Sequence, residues 1–340
     1  MAQVSLLEVF NRPVVQSYID VDPLVPSPFV QSGAFVADSR LSTLLSGGSP
    51  TFVVPYIGGI DAGLEPNYGN TIYTDIAMPR DIQGGSMQGR VAYLNEAFRE
   101  ASLQRYLTQV NALELIGGKL NQLWLNSAEN RARATLAGLR NYDQANGKKL
   151  TTDISAATAT AATGFSFDAF VDVEATMRPA NRGNGVMVVH PQVAAKIRKN
   201  NQAELLQTQA NIPPVTVYNG RALVESELGT KIGTGANAKY VSLLAGAGAF
   251  SYAQAAGNDD LEVDRTAATS NGAGDRALWT RRNMVIHPQG FSFIAAESTL
   301  TGGTERQALS ASWGDLQKAA NWELTLDPLD TGFRFLISNL

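Results

Sequence analysis

The chain holds two histidines, His190 and His287, and each stands in nearly the same pentapeptide, VVHPQ at 188–192 and VIHPQ at 285–289. Two imidazoles could be half of a metal site or an acid–base pair. A metal site needs three or four convergent ligands with partners that orient them, and neither histidine belongs to a helical H-E-x-x-H arrangement. Each is followed by proline where an apolar run ends, and proline at that place stops a strand or opens a helix. Both therefore read as strand-end punctuation, and a hydrolase with a His–carboxylate site is kept as the enzymatic alternative. Other chemical signals are weaker still. Ser32 in FVQSGAF and Ser166 in GFSF lack the G-x-S-x-G elbow. The glycine-rich stretches GGKLNQLW at 117, KIGTGANAK at 231 and LLAGAGAF at 243 match neither a phosphate loop nor a dinucleotide fingerprint, and read as turns and close-packing sites. Asp172 with Glu174, and Asp259 with Asp260, read as solvated surface pairs. No catalytic, metal or cofactor residue is assigned.

The elements that would position such groups belong to a globular chain. At 340 residues and 44% hydrophobic content there is material for a large core. There is no cysteine, which removes disulfides, thiolate metal sites and cysteine nucleophiles. Lys plus Arg number 27 against 31 Asp plus Glu, a net charge of -4 without runs of like charge, so bulk charge draws in neither nucleic acid nor an anionic membrane. No stretch reaches the roughly 18 apolar residues of a membrane span, and the first twenty residues lack a signal-peptide pattern. The chain is expected to be made and used in soluble form.

Residues 1–50, with Pro13, Pro23, Pro26 and Pro28, read as an extended arm carrying a short helix or two. TFVVPYIGG at 51 and RVAYLNEAFREAS at 90 are strand-like and bracket about 30 polar, Gly- and Pro-punctuated residues, the pattern of a long hairpin or protruding loop. Leu113, Ile116, Leu120, Trp124, Ala128, Ala132, Leu136 and Leu139 recur every three or four residues, which predicts one long helix over 111–142 with a weak point at Gly117–Gly118. Arg131, Arg133 and Arg140 fall late in it, where they would complement the helix dipole. Further on, FSFDAFVDVEATM reads as a helix capped by Ser166, PQVAAKIRKNNQAELL as a helix, PPVTVYNGRALVE and KYVSLLAGAGAFSYAQ as strands, SWGDLQKAANWEL as a helix and TGFRFLISNL as a half-buried terminal strand. Helices interspersed with strands in this way indicate an α+β fold. Arm and loop offer surface that a monomer has no use for, which points to assembly between subunits.

The order of these blocks resembles the major capsid proteins of tailed bacteriophages, the Hong Kong 97 fold, across nearly the whole chain. VFNRPVVQSYI, FVQSGAF and LLSGGSPTFVVPY are similar to the arm of one capsid subgroup. The long helix, MVVHPQVAAKIRK, YVSLLAGAGAF, LEVDR, RRNMVIHPQGFSF and NWEL resemble its later blocks. The resemblance implies an N-terminal arm over 1–50, an extended loop over 51–87 that reaches across an adjacent subunit, and a peripheral domain with its spine helix over 88–160. It further implies an axial domain over 161–278 and a return to the peripheral domain over 279–340. It implies a virion capsid subunit, assembled in the host cytoplasm as pentamers and hexamers into an icosahedral shell around DNA that is contacted weakly and nonspecifically. The implied partners are a portal protein, possible cement or decoration proteins and, because the chain starts at the arm without an acidic or coiled-coil leader, a separate scaffolding protein. The covalent Lys–Asn crosslink of the namesake does not carry over, since 56–87 contain no lysine. Tyr56, Asp61, Glu65, Tyr68, Arg80 and Asp81 are the candidate inter-subunit contacts. A tail or adhesion module is the alternative oligomer.

Overall fold

The structure is a computed structural model; it describes residues 33–45, 49–58, 64–82, 84–108, 111–200, 204–206, 215–226, 230–301 and 309–340. Most of the expected arm, and Asp61, lie outside the described residues. The part of the arm that is described forms strand β1 (Phe35–Ala37) and helix α1 (Ser39–Leu44), whose cap Asp38 accepts from Arg40 N.

Two sheets and one long helix organise the chain. Among the described residues, strands β2 (Thr51–Ile57) and β3 (Gly84–Arg90) pair only with each other, while β4 (Ala92–Ala101) joins a different sheet. The strand facing TFVVPYI is thus GGSMQGR, not RVAYLN. Its glycines hid it from propensity, but each of two lies directly opposite an aromatic ring in the ladder: Phe52 faces Gly89 and Tyr56 faces Gly85. The rings fold over the bare backbone, and a Cβ on Gly85 would stand 2.6 Å from the Tyr56 hydroxyl. Aromatic cover of a strand glycine supplies the packing that the glycine itself lacks.

Helix α2 (Ser102–Thr108) lies before the predicted 111–142 helix, which is itself two: α3 (Ala112–Gly117) and, after a break at Gly118–Lys119, α4 (Leu120–Ala145). The amino-terminal half of α4 lies on the four-stranded sheet, through Trp124 and Ala128 against Ala92 and Met284. Its carboxyl-terminal half lies on the larger sheet, through Ala132 and Leu139. Arg131 is not a dipole partner at the helix end; it is 7% exposed and donates to Ala311 O at 2.9 Å.

The four-stranded sheet runs β1–β12–β13–β4, with β12 (Phe250–Thr266) and β13 (Asp275–Pro288) forming a long antiparallel hairpin bulged between Ala256 and Leu261. The larger sheet contains β5 (Thr151–Asp153), β6 (Val186–Val189), β7 (Glu204–Leu206), β8 (Val215–Tyr218), β9 (Arg221–Glu225), β10 (Lys231–Ile232), β11 (Lys239–Ala245) and β16 (Phe333–Ser338). Its spatial order is β5–β16–β11–β6–β9–β8–β7, with β10 beside β11. β14 (Phe291–Phe293) and β15 (Trp322–Leu324) pair separately. Val186, Val188, Phe333 and Phe335 face the α4 side. Met187, Val189 and Leu336 face α5 (Phe167–Ala175) and α6 (Pro191–Lys199). Covered on both faces, β16 is buried throughout instead of half-buried, as expected of a central strand whose sheet has two layers over it.

Several boundaries differ from the sequence reading for local reasons. The described part of PPVTVYNGRALVE, 215–225, is a hairpin, because Asn219 and Gly220 take positive φ (47° and 81°) and turn the chain between β8 and β9. KYVSLLAGAGAFSYAQ breaks after Ala245 and sends its halves to different sheets. The helix from Pro191 stops at Lys199, and the SWGDLQ helix is only α7 (Trp313–Gln317), after which NWEL supplies β15. Ser166 caps α5, as its type predicts, by accepting from Ala169 N at 3.2 Å. Glu174 is not a solvated carboxylate: it is 8% exposed and pairs at 3.0 Å with the fully buried Arg221.

Candidate inter-subunit surface

The two histidines lie in different sheets. His190 ends β6 and caps α6, its Nδ1 accepting from Gln192 N at 3.2 Å. His287 lies one residue from the end of β13, opposite Ser251, with its ring edge-on to Phe52 at 5.6 Å. Burial pushes the His287 imidazole down to about 4, against a smaller opposing pull from Asp38. Among the described residues no group of three or more His, Cys, Asp or Glu is placed to hold a metal ion.

The surface that does stand out is the β2–β3 hairpin and the loop it carries. Its root is fixed to the body. Phe52 enters a cluster with Leu41, Leu45, Val91, Ala253 and Val285. Gln88 N donates to Ser292 Oγ at 3.1 Å, Val91 N to Pro50 O at 2.8 Å, and the Arg90 guanidinium to Leu309 O and Ala295 O at 2.9 and 3.3 Å. β2 alternates strictly: Phe52 turns inward, while Val53 and Ile57 are 59% and 79% exposed. Past the root the chain leaves the body, and every described residue from 64 to 82 is exposed.

Three of the predicted contact residues are brought together in this loop. Tyr68 donates its hydroxyl to Glu65 Oε1 at 3.0 Å, and Arg80 donates to Glu65 O at 3.1 Å, which ties the outgoing limb to the returning one. Asn70 Nδ2 donates to Asp75 Oδ2, and Asn70 Oδ1 accepts from Ile72 N at 2.9 Å, which closes the turn between them. Tyr56 instead points back to its own chain, donating to Thr325 O at 3.3 Å, and Asp81 is solvent-exposed. The residues that sequence reasoning missed are apolar. Ile72, Tyr73, Ile76, Met78 and Ile82 are between 61% and 100% exposed. An apolar side chain recurring every few positions through NTIYTDIAMPRDI was the available signal. Such a run, uncovered and rimmed by polar residues, is the mark of a surface that meets another molecule.

This architecture can be compared with known proteins. The capsid of Ralstonia phage GP4 superposes with a TM-score of 0.61 at 9% identity, covering 97% of this chain and 96% of that one. The capsid asymmetric unit of cyanophage Pam1 gives 0.59 at 10% identity over 100% and 99%. The fold is that of tailed-phage major capsid proteins. The same capsid fold appears in an encapsulin complex from Synechococcus elongatus, at a TM-score of 0.50 and 10% identity over 99% and 95%. In sequence, the chain is 26% identical over 331 residues to the major capsid protein of Bacillus phage SPP1, covering 96% of this chain and 94% of that protein. No family model matches the chain. Among the described residues, the loop carried by the β2–β3 hairpin stands away from the core clusters of its own chain.

Proposed function

We propose that this chain is a major capsid protein, many copies of which assemble into an icosahedral shell that encloses phage DNA. The observation that carries the reading is the likeness to the SPP1 major capsid protein over 96% of the chain. It favours a phage head over an encapsulin, a choice that the fold alone leaves open. The uncovered apolar loop supplies a physical reason to assemble. Burying a side chain of the size of Tyr73, Ile76 or Met78 against a neighbour contributes about 1.5–3 kcal/mol each before the entropy of association. Repetition of such a contact around a closed shell turns a modest pairwise affinity into a stable particle.

In this reading residues 1–50 are an arm, 51–87 a loop laid over the adjacent subunit, 88–160 with 279–340 a peripheral domain, and 161–278 an axial domain at the capsomer centre. Capsomers are pentamers and hexamers, assembled in the host cytoplasm on a separate scaffolding protein, with a portal at one vertex and decoration proteins as further partners. The joints are noncovalent, since 56–87 contain no lysine to crosslink. The role is structural and needs no cofactor or metal. DNA is held by confinement and weak contacts, in keeping with the net charge of -4. Electron microscopy of the purified chain, alone and co-expressed with its scaffold, tests this: closed shells are expected, and rings, tubes or monomers under every condition would refute it. Uniform shells from the chain alone would remove the scaffold, and a ladder of linked subunits on a denaturing gel would overturn the noncovalent joint.

A further inference from the structure

Behind the root of the β2–β3 hairpin, where α4, β13 and the Ala311–Trp322 segment meet, lies a cavity of ≈ 20 Å³. That is room for a single particle of the size of water or chloride. Among the described residues its polar lining is Arg90, Arg131, Thr135 and His287, with no carboxylate. All four are more than nine-tenths buried: the Arg90 side chain is 6% exposed, Arg131 7%, Thr135 2% and His287 6%.

The hydrogen-bond accounting around this space is incomplete. Arg90 gives its two terminal nitrogens to Leu309 O and Ala295 O, which leaves Nε buried without a partner. Arg131 gives NH1 to Ala311 O. His287 Nε2 is buried without a partner. The charge accounting is worse. Guanidinium stays protonated in proteins, so two buried cations line one small space and their partners are mainly neutral carbonyls. Glu297 is 3.8 Å from Arg90 and half exposed. A buried charge without a counter-charge is strongly destabilising. A water in the cavity would accept the free N–H groups but leave the charge unbalanced, whereas an anion does both.

We propose that this cavity binds one small monovalent inorganic anion of chloride size, held by the Arg131 guanidinium, Arg90 Nε–H and His287 in its Nε2–H tautomer. The bound ion would tie the hairpin root (Arg90) to α4 (Arg131) and to β13 (His287), where two guanidinium charges of the same sign otherwise line one space beside a neutral imidazole. The site stands apart from the capsid reading, because it depends only on the fold of one subunit.

The test uses the full-length purified chain at constant ionic strength, with sodium gluconate exchanged stepwise for sodium chloride. Chloride-35 line broadening is expected to be saturable and to be displaced by bromide. The thermal midpoint should rise with chloride and not with gluconate. Arg131→Gln should weaken chloride binding by about tenfold or more, the equivalent of one charged hydrogen bond. Arg140→Gln, on the same helix but outside the cavity, should leave it unchanged. If Arg131→Gln does not fold, the wild-type midpoint still decides. Coincident chloride and gluconate curves, or equal broadening by wild type and folded Arg131→Gln, would mean the cavity holds water only and would overturn the proposal.

Discussion

Replacing Gly138 by alanine is expected to destabilise the subunit even though alanine is the better helix former. Gly138 lies in the buried face of α4, where the end of α7 crosses it. A Cβ there would sit well inside van der Waals contact of Leu316 O and 2.5 Å from Trp322 Nε1. Those two groups form a hydrogen bond at 2.7 Å, and Asn141 donates to Gln317 O at 3.0 Å one turn further along. The obstacle is backbone and an indole held in the core, so neither can step aside as a flexible side chain would. Overpacking of this kind costs about 1–3 kcal/mol, and displacing the indole forfeits about 1 kcal/mol of hydrogen bonding. Helix propensity returns about 1 kcal/mol. The net is a loss of about 1–3 kcal/mol, read as a lower urea midpoint at an unchanged slope. Gly117→Ala is the matched control, because nothing stands within 4 Å of its Cβ. It should be neutral or stabilising by up to about 1 kcal/mol. Equal shifts in the two variants, or a Gly138→Ala midpoint at or above the parent's, would refute the close-approach argument.

Acid should weaken the fold in two steps. The His287 imidazole is lowered from 6.5 to about 4 by burial, so the unfolded chain binds a proton in that window that the native state refuses. Stability therefore falls as pH drops from 6.5 toward 4, by up to about 3 kcal/mol, and His287→Gln should flatten that slope in pH-dependent urea titrations. Burial pushes the Asp315 carboxyl up, but hydrogen bonds from Thr301 N–H, Lys318 and Ser312 outweigh it and hold it well below the usual carboxylate range. Its contribution is present above the unfolded carboxylate pKa and is lost below it, so Asp315→Asn should remove a second fall at more acidic pH. Glu174→Gln leaves Arg221 charged and fully buried without its ion pair, for an expected loss of about 3 kcal/mol; an unchanged unfolding midpoint would count against it. Replacing 64–82 by a short glycine–serine turn should leave the subunit's own unfolding midpoint unchanged, because none of these residues enters its core clusters. The same variant should form no closed shells by electron microscopy, and normal shells would show that the loop is not the joint.

Much of this protein was determined by local sequence. The apolar stripe from Leu113 to Leu139 and the paired glycines at 117–118 specify a long helix with a break, since a 3.6-residue period and a glycine pair act within a few turns of chain. Ser166 and His190–Pro191 mark their helix starts for the same reason. The fold class, and the presence of an outlying loop with few turn-to-turn constraints, were legible in composition and spacing. Tertiary structure decided what depends on partners far along the chain. GGSMQGR became a strand because Phe52 and Tyr56 cover its glycines, and YVSLLAGAGAFSYAQ split because its two halves found different sheets. Glu174 and Arg131 left the solvent because a long-range partner, Arg221, or a long-range enclosure, the Ala311 segment, met them there. The two His–Pro motifs are alike in sequence and unlike in setting. One imidazole caps a helix, while the other is buried beside two arginines, and only the packing of α4 against the hairpin root makes that difference.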